Sequence, residues 1–316
     1  MTGFDQEALK KAVAEHGQVT RVAIAAVRGS SPREVGAAML VWASGQSGTI
    51  GGGTLEYHAA KTARIQTQYT ESSTHALGPD LGQCCGGAVT LISELYDAAR
   101  CATLTGDIIA RPIHATAEKT PPFAVKRILA SARNQGQRPD SELIDGWFIE
   151  PVHKPSRPVW IWGAGHVGRA IVSILAPLPD LDITWVDTST SRFPKTYPSN
   201  ITVLPADDPV RVVHYAPENT AHVILTYSHK LDLALCNALL AQEFSFAGVI
   251  GSSTKWARFR RQLMQLGHSA EAPNRITCPI GDPSLGKHPQ MIAVGVAAEL
   301  LRPAQAAAEW NKEYRA

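Results

Sequence analysis

The chain has 316 residues, 44% of them apolar and 18% charged, with 25 glycines and 21 prolines. That mixture predicts two domains with a substantial core and excludes a disordered or collagen-like chain. Thirty Lys and Arg against 28 Asp and Glu leave a net charge of +2, too small a basic excess for a dedicated nucleic-acid binder, and the longest apolar run, residues 291–301, is about half of the roughly 20 residues that a membrane span needs.

At the amino terminus Ala8, Leu9, Ala12 and Val13 follow helical spacing, and no basic segment precedes an apolar one, so a secretory signal is not expected. The cysteines, Cys84, Cys85, Cys101, Cys236 and Cys278, are odd in number and lack C-x-x-C spacing. They fit neither a disulfide framework nor a zinc ribbon, and a cytoplasmic location is the expectation. Residues 19–27 form an apolar, β-branched run that reads as a strand, ended by the turn-rich Arg28-Gly29-Ser30-Ser31-Pro32-Arg33-Glu34. Residues 38–42 read as a second strand, 45–48 as a turn and 49–50 as a short strand entering Gly51-Gly52-Gly53. A helix should follow, with Leu55, Ala59, Thr62, Ala63 and Gln66 on one side and Glu56 in its first turn, near the positive end of the dipole. A second glycine-rich stretch, residues 77–87, leads into a strand at 88–95.

These elements make a first domain of residues 1–100. A proline-rich connector, 101–157, carries a weak helical stretch at 123–133 and a strand at 146–150. From 158 to 316 strands (159–162, 182–187, 201–204, 221–226 and 247–250) and helices (about 167–175 and 231–241) alternate, which predicts a Rossmann-like, doubly wound parallel sheet. Residues 291–301, apolar nearly all round, read as a buried closing helix. The fold class is therefore α/β in two parts.

Gly163-Ala164-Gly165-His166-Val167-Gly168 follows the strand 159–162 and opens a helix. In such a turn the first glycine makes the bend, the second lets a pyrophosphate approach the backbone and the third packs helix on strand. Asp187 ends the next strand, where a carboxylate commonly accepts from a ribose hydroxyl. His166 lies in the same loop. In the first domain Arg28 and Arg33 flank Ser30 and Ser31, a composition suited to an anion, and Gly51, Gly52 and Gly53 offer amides at a helix start. The two loops together suggest one phosphorylated ligand. Cys84 and Cys85 sit between glycines, where a nearby cation would favour the thiolate. In the second half, His229 and Asp232 follow a strand end and read either as an acid–base pair or with Asp232 as a helix cap, the cap being favoured. Lys255, Arg258, Arg260 and Arg261 read as a solvated basic face.

The whole chain resembles the xanthine dehydrogenase accessory proteins, the XdhC/CoxI-like family. The resemblance is carried by residues 29–34, 48–53 with Glu56, and 81–87, which includes Gln83, in the first domain, and by 163–168, 251–260 and 278–281 in the second. Tyr227 stands where the family pattern has a histidine. The resemblance implies a molybdenum-cofactor (molybdopterin) chaperone rather than an enzyme, one that shields the cofactor during sulfuration by a cysteine desulfurase and inserts it into an apo xanthine dehydrogenase or related molybdenum hydroxylase. On that basis the cofactor phosphate is assigned to Arg28, Arg33 and Gly51 to Gly53, and the molybdenum end to Cys84 or Cys85. The alternative is an NAD(P)-dependent oxidoreductase using Gly163, Gly165, Gly168 and Asp187 for its cofactor and His229 as acid or base; a nucleotide sensor without chemistry is a third reading. Whether the Rossmann-like site holds a nucleotide, NAD(P) or nothing is left open at this level, and a homodimer is the general expectation for an oligomer.

Overall fold

A computed structural model of the chain describes residues 3–78, 86–114 and 120–302. It divides into two compact units, Met1–Lys154 and Pro155–Ala316.

The first unit contains α1 (Gln6–His16), β1 (Val19–Arg28), β2 (Ala38–Trp42), β3 (Gly45–Gly48), α2 (Gly53–Arg64), β4 (Thr70–Ala76), β5 (Ala88–Tyr96), α3 (Ala98–Ala102), β6 (Ile108–Pro112), α4 (Phe123–Gln135), β7 (Glu142–Ile144) and β8 (Trp147–Pro151). The connector stretch thus supplies strands and a helix of this unit. Its larger sheet has the order β3-β2-β1-β5-β4 and is antiparallel at every pairing; the smaller has the order β6-β8-β7. Residues 45–48, expected as a turn, are strand β3: Trp42 pairs with Gly45, so the reversal is made by Ala43 and Ser44 alone. Residues 49–50 pair with no strand and lead into α2 instead.

β1 is apolar without alternation because both of its faces are covered. Val22 and Ile24 join Leu55, Ala60 and Ala63 of α2 in one core. Ala23 and Ala25, on the opposite face, join Ile92 and Phe148 in another. The second of these faces also carries charge. Arg21, 2% exposed, makes two bonds to Glu150 of β8, at 3.0 and 2.6 Å, and stands opposite Glu94 of β5 in register. Arg111 of β6 grips Glu94 in the same forked way at 3.0 and 2.6 Å and reaches Glu150 at 2.6 Å, while Arg100 approaches Glu94 at 3.4 Å. The Arg21 guanidinium also lies 4.4 Å from the centre of the Phe4 ring. Burial alone would raise the Glu94 carboxyl, but the charges of Arg111, Arg21 and Arg100 outweigh it and hold the group below the ordinary range.

The second unit contains β9 (Arg157–Trp162), α5 (His166–Leu175), β10 (Leu181–Asp187), β11 (Thr202–Pro205), β12 (Ala221–Ile224), α6 (His229–Leu239), β13 (Phe246–Val249), α7 (Ser253–Gln265), β14 (Ile276–Thr277) and α8 (Pro289–Leu301). All five pairings are parallel in the order β11-β10-β9-β12-β13-β14, so the strand order reverses between β9 and β12. α5 and α8 cover one face and α6 and α7 the other. α8 is not buried all round: Ala293, Val296, Ala297 and Leu300 face the core, whereas Met291 and Val294 are half exposed. Its apolar composition conceals a two-sided helix. Among the described residues, no helix is long and apolar enough to cross a membrane.

Beneath α6, Trp162 Nε1 donates to His222 Nδ1 at 3.1 Å, which places the neutral ring's proton on Nε2, an atom without an acceptor among the described residues. Burial pushes the His222 pKa down to about 3.

Two predictions follow from these interiors. Glu150→Gln leaves two buried guanidiniums under-compensated and should cost about 3–5 kcal/mol, read from urea unfolding; a loss under about 1 kcal/mol would show that Glu94 alone suffices. For His222, the folded pKa lies below the unfolded value of 6.5, so the neutral ring's stability is complete above pH 6.5 and is lost as pH falls toward 3. The stability of wild type relative to His222→Leu should therefore fall by about 1.4 kcal/mol per pH unit below that point, and a flat difference would mean that the site admits the imidazolium.

Candidate functional site

In the first unit the anion-type loops meet at one end of the larger sheet. β1 delivers Arg28 to the surface, and Gly29, at φ 71°, turns the chain into Ser30, Ser31, Pro32 and Arg33. Ser31 Oγ donates to the Arg33 carbonyl at 2.9 Å and so shapes the loop. A Cβ on Gly51 would lie 2.6 Å from Pro32 Cγ, and one on Gly87 would lie 2.5 Å from the Arg28 carbonyl oxygen and 2.2 Å from that of Ser30. These glycines are where the 49–53 loop and the chain returning into β5 close onto the arginine loop. Arg28 is exposed and makes no ion pair among the described residues, whereas Arg33 faces Glu34 at 3.4 Å across a solvated pair. Gln83, Cys84 and Cys85 lie outside the described residues.

Glu56 has a role that the dipole argument understates. Its Oε2 accepts from the amides of Ile50 and Gly52, both at 3.0 Å, and from Thr49 Oγ1, while Gln46 donates to Oε1 at 3.2 Å. The Gly51 amide donates to Thr49 Oγ1 at 3.0 Å. Burial works to raise the carboxyl, and the bonds from Thr49, Gly52 and Ile50 prevail and lower it. The amides of Gly51 and Gly52, read from sequence as open, are thus engaged by the chain's own carboxylate or by the hydroxyl that it orients.

In the second unit, Gly163, Gly165, His166, Gly168 and Asp187 come together at the carboxyl end of the sheet. Gly163, at φ 128°, passes 2.5 Å from the Leu225 carbonyl by the Cβ measure, and a Cβ on Gly168 would meet the Gly163 carbonyl at 2.1 Å. Asp187 is buried: Oδ2 accepts from the Ala164 amide at 2.6 Å and Oδ1 from the Thr188 amide at 2.6 Å, with Arg192 Nε at 3.4 Å. It braces the glycine loop from the sheet side. A cleft of about 410 Å³ opens above, lined among others by Gly165, His166, Arg192, Tyr227, His229 and Lys255. Arg192 comes from the β10 side and exposed Tyr227 from the β12 side; they meet with the guanidinium 4.9 Å from the ring centre.

Asp232 and Lys255 read differently in three dimensions. Ser228, not Asp232, caps α6 through its hydroxyl. Asp232 is buried and accepts from Lys255 Nζ at 2.7 Å on Oδ2 and from Thr226 amide and hydroxyl at 3.0 and 2.7 Å on Oδ1. Lys255 is therefore an interior group pinned to the strand ends, its Nζ also donating to the Ile250 carbonyl at 2.9 Å, and not part of a solvated face. A signal was present in the sequence: both residues occupy the first turn of helices that follow adjacent parallel strands. Among the described residues no group of three or more His, Cys, Asp or Glu side chains is arranged to hold a metal ion.

Comparison with known proteins agrees with this division. Residues 159–300 match the XdhC Rossmann domain, and residues 12–77 match the XdhC and CoxI family. Over 290 residues the chain is 27% identical to YqeB, an uncharacterized protein of Escherichia coli K12, covering 87% of this chain and 41% of that one; it spans about two fifths of the length of this curated relative. A crystal structure from Bacillus halodurans, described as a xanthine dehydrogenase, shares the fold with a TM-score of 0.68 at 18% identity over 98% of this chain and 99% of its own. With the two family models met in order along one polypeptide, the chain belongs to the XdhC and CoxI family.

Proposed function

We propose that this protein is a molybdenum-cofactor chaperone: it holds the pterin cofactor, shields it during sulfuration by a cysteine desulfurase and delivers it to an apo molybdenum hydroxylase. The family supports the broader statement, an accessory role for xanthine dehydrogenase-type enzymes. The observation that carries the finer one is the closure of the 49–53 loop, at Gly51, and of the chain at Gly87 onto the loop of Arg28 and Arg33 at one end of the first unit. The cargo is an anion with a phosphate at one end and a thiophilic metal at the other. Guanidinium groups recognise phosphate by charge and fork geometry. Because Glu56 engages the amides of Ile50 and Gly52, the phosphate falls to Arg28 and Arg33, with Ser30 and the Gly53 end of α2 beside them. Cys84 and Cys85, flanked by glycines in the sequence, supply thiolate toward molybdenum.

The oxidoreductase reading is not favoured. It leaves these loops without work, and its acid–base pair is dissolved, since Asp232 directs its two oxygens to Thr226 and Lys255.

The test is an anaerobic titration of the protein with molybdenum cofactor, scored by the fluorescent oxidation product of the retained pterin. Near-stoichiometric retention is expected, with Arg28→Ala and Arg33→Ala each weakening it about 10- to 100-fold, the loss expected for one charge-assisted bond. Cys85→Ala should retain pterin but activate the apo hydroxylase poorly. Undiminished retention in the double arginine variant would remove the phosphate assignment, and no retention by wild type would remove the function.

A further inference from the structure

The glycine loop of the second unit contains three glycines, and the protein's own packing accounts for only two. Gly163 requires a positive φ and runs against Leu225, and Gly168 lies against the Gly163 carbonyl. Gly165 has an ordinary φ of −71°, and a Cβ there would meet nothing within 4 Å. It lines the cleft. A side chain at this position would be tolerated by the fold and would stand where a ligand approaches the backbone.

A second cavity, of about 390 Å³, adjoins the first and shares His229 and Lys255 with it. It runs between α6 and α7 past Lys230, Ser252, Thr254 and Arg258. Over both cavities the lining includes one carboxylate, Asp232, already paired with Lys255, against the cations Lys230 and Arg258, the Asp187-paired Arg192 and the imidazoles of His166 and His229. The charge on the wall is thus net positive through Lys230 and Arg258; in the second cavity these cations and the hydroxyls of Ser252 and Thr254 stand beside a mainly apolar surface that includes Leu233 and Phe259. Two cations and two hydroxyls along one wall can meet a run of phosphates. Each cavity falls within the usual size range for small-molecule sites, and the first lies between the ends of β9 and β12, where the strand order reverses and open α/β sheets take ligands.

We propose that the second unit binds a nucleoside polyphosphate, with its first phosphates against the open amide face of Gly165 to Gly168 and its outer phosphates between α6 and α7, facing Lys230 and Arg258. The inference rests on the second unit alone and is independent of the cargo reading of the first.

Isothermal titration of the full chain with AMP, ADP, ATP and NAD separates the outcomes. Affinity should rise at least fivefold with each added phosphate, and ATP should bind more tightly than NAD. Gly165→Ala should lower the affinity for ADP and ATP at least tenfold with an unchanged melting temperature. Arg258→Ala, an exposed position, should bring ATP down to the ADP affinity while leaving ADP unchanged, and His229→Ala should weaken both. These last two variants decide the matter should Gly165→Ala fail to fold. Absence of ADP and ATP binding at millimolar concentration, or binding indifferent to all three substitutions, overturns the site. NAD binding more tightly than ATP, or ATP affinity unaffected by Arg258→Ala, overturns the polyphosphate assignment.

Discussion

The first unit depends on a cluster of five charges in which both carboxylates and Arg21 are buried and Arg111 and Arg100 reach in from the edge. Glu94 and Glu150 are fully buried, and Arg21 and Arg111 each fork onto one of them, so that strands from two sheets are locked by paired bonds whose geometry tolerates little sliding. A buried ion cluster is weak evidence of net stability, because desolvation takes back most of the Coulomb gain. Its effect is on specificity. A one-residue slip of β1 against β5 would turn Arg21 into the apolar core under α2 and take from Glu150 its forked partner, leaving Arg111 to serve both carboxylates. β1 begins near this cluster and ends at Arg28, about 23 Å along at the usual rise per residue. A strand anchored by buried arginine therefore presents an exposed arginine at its far end, in a fixed register with the loops around it.

The two glycine loops show how a single carboxylate decides what such a loop can do. Glu56 enters the loop that precedes α2 from the front and accepts from the amides that an anion would otherwise use. Asp187 approaches the loop before α5 from behind, takes the Ala164 amide and leaves the face at Gly165 open to the cleft. Both loops satisfy the elementary description of an anion site at a helix N-terminus. In the first, the chain's own carboxylate is the anion; in the second, the carboxylate stiffens the turn that would receive one.

This difference was not legible in the sequence, although much else was. Strands β1, β2, β5 and β9 to β13 and the glycine turn at 163–168 follow from apolar runs bounded by turn residues, which are local signals. Glu56 was visible only as an acid in a first helical turn, because its bonds reach back across a loop whose path no periodicity describes. The pairing of Arg21 with Glu150 joins residues 129 apart, and neither belongs to a motif; buried charges read as surface charges until topology brings them together. β3 was missed for a local reason: glycine-rich, polar and on a sheet edge, it lacks the β-branched residues by which a strand announces itself. Cys84 and Cys85 lie outside the described residues; Gly87, where the chain re-enters β5, packs on Arg28 and Ser30.

The Asp232–Lys255 pair completes the logic of the second unit. Lys255 stands on the first turn of α7, and a free ammonium there would oppose the positive end of that helix dipole. Pairing with Asp232 removes this conflict and ties α7 to Thr226 at the end of β12, so the wall shared by the two cavities is held by an interior bond and not by a flexible side chain. The same pairing withdraws Lys255 as a source of net charge. Arg192 is likewise paired, with Asp187, so what remains positive in the groove belongs to Lys230 and Arg258, both exposed. Attraction through exposed groups is screened by salt, whereas the open face at Gly165 acts by shape and by amide hydrogen bonding. A ligand held by both should therefore lose the contribution of its outer charges first as ionic strength rises and keep its seat on the glycine loop.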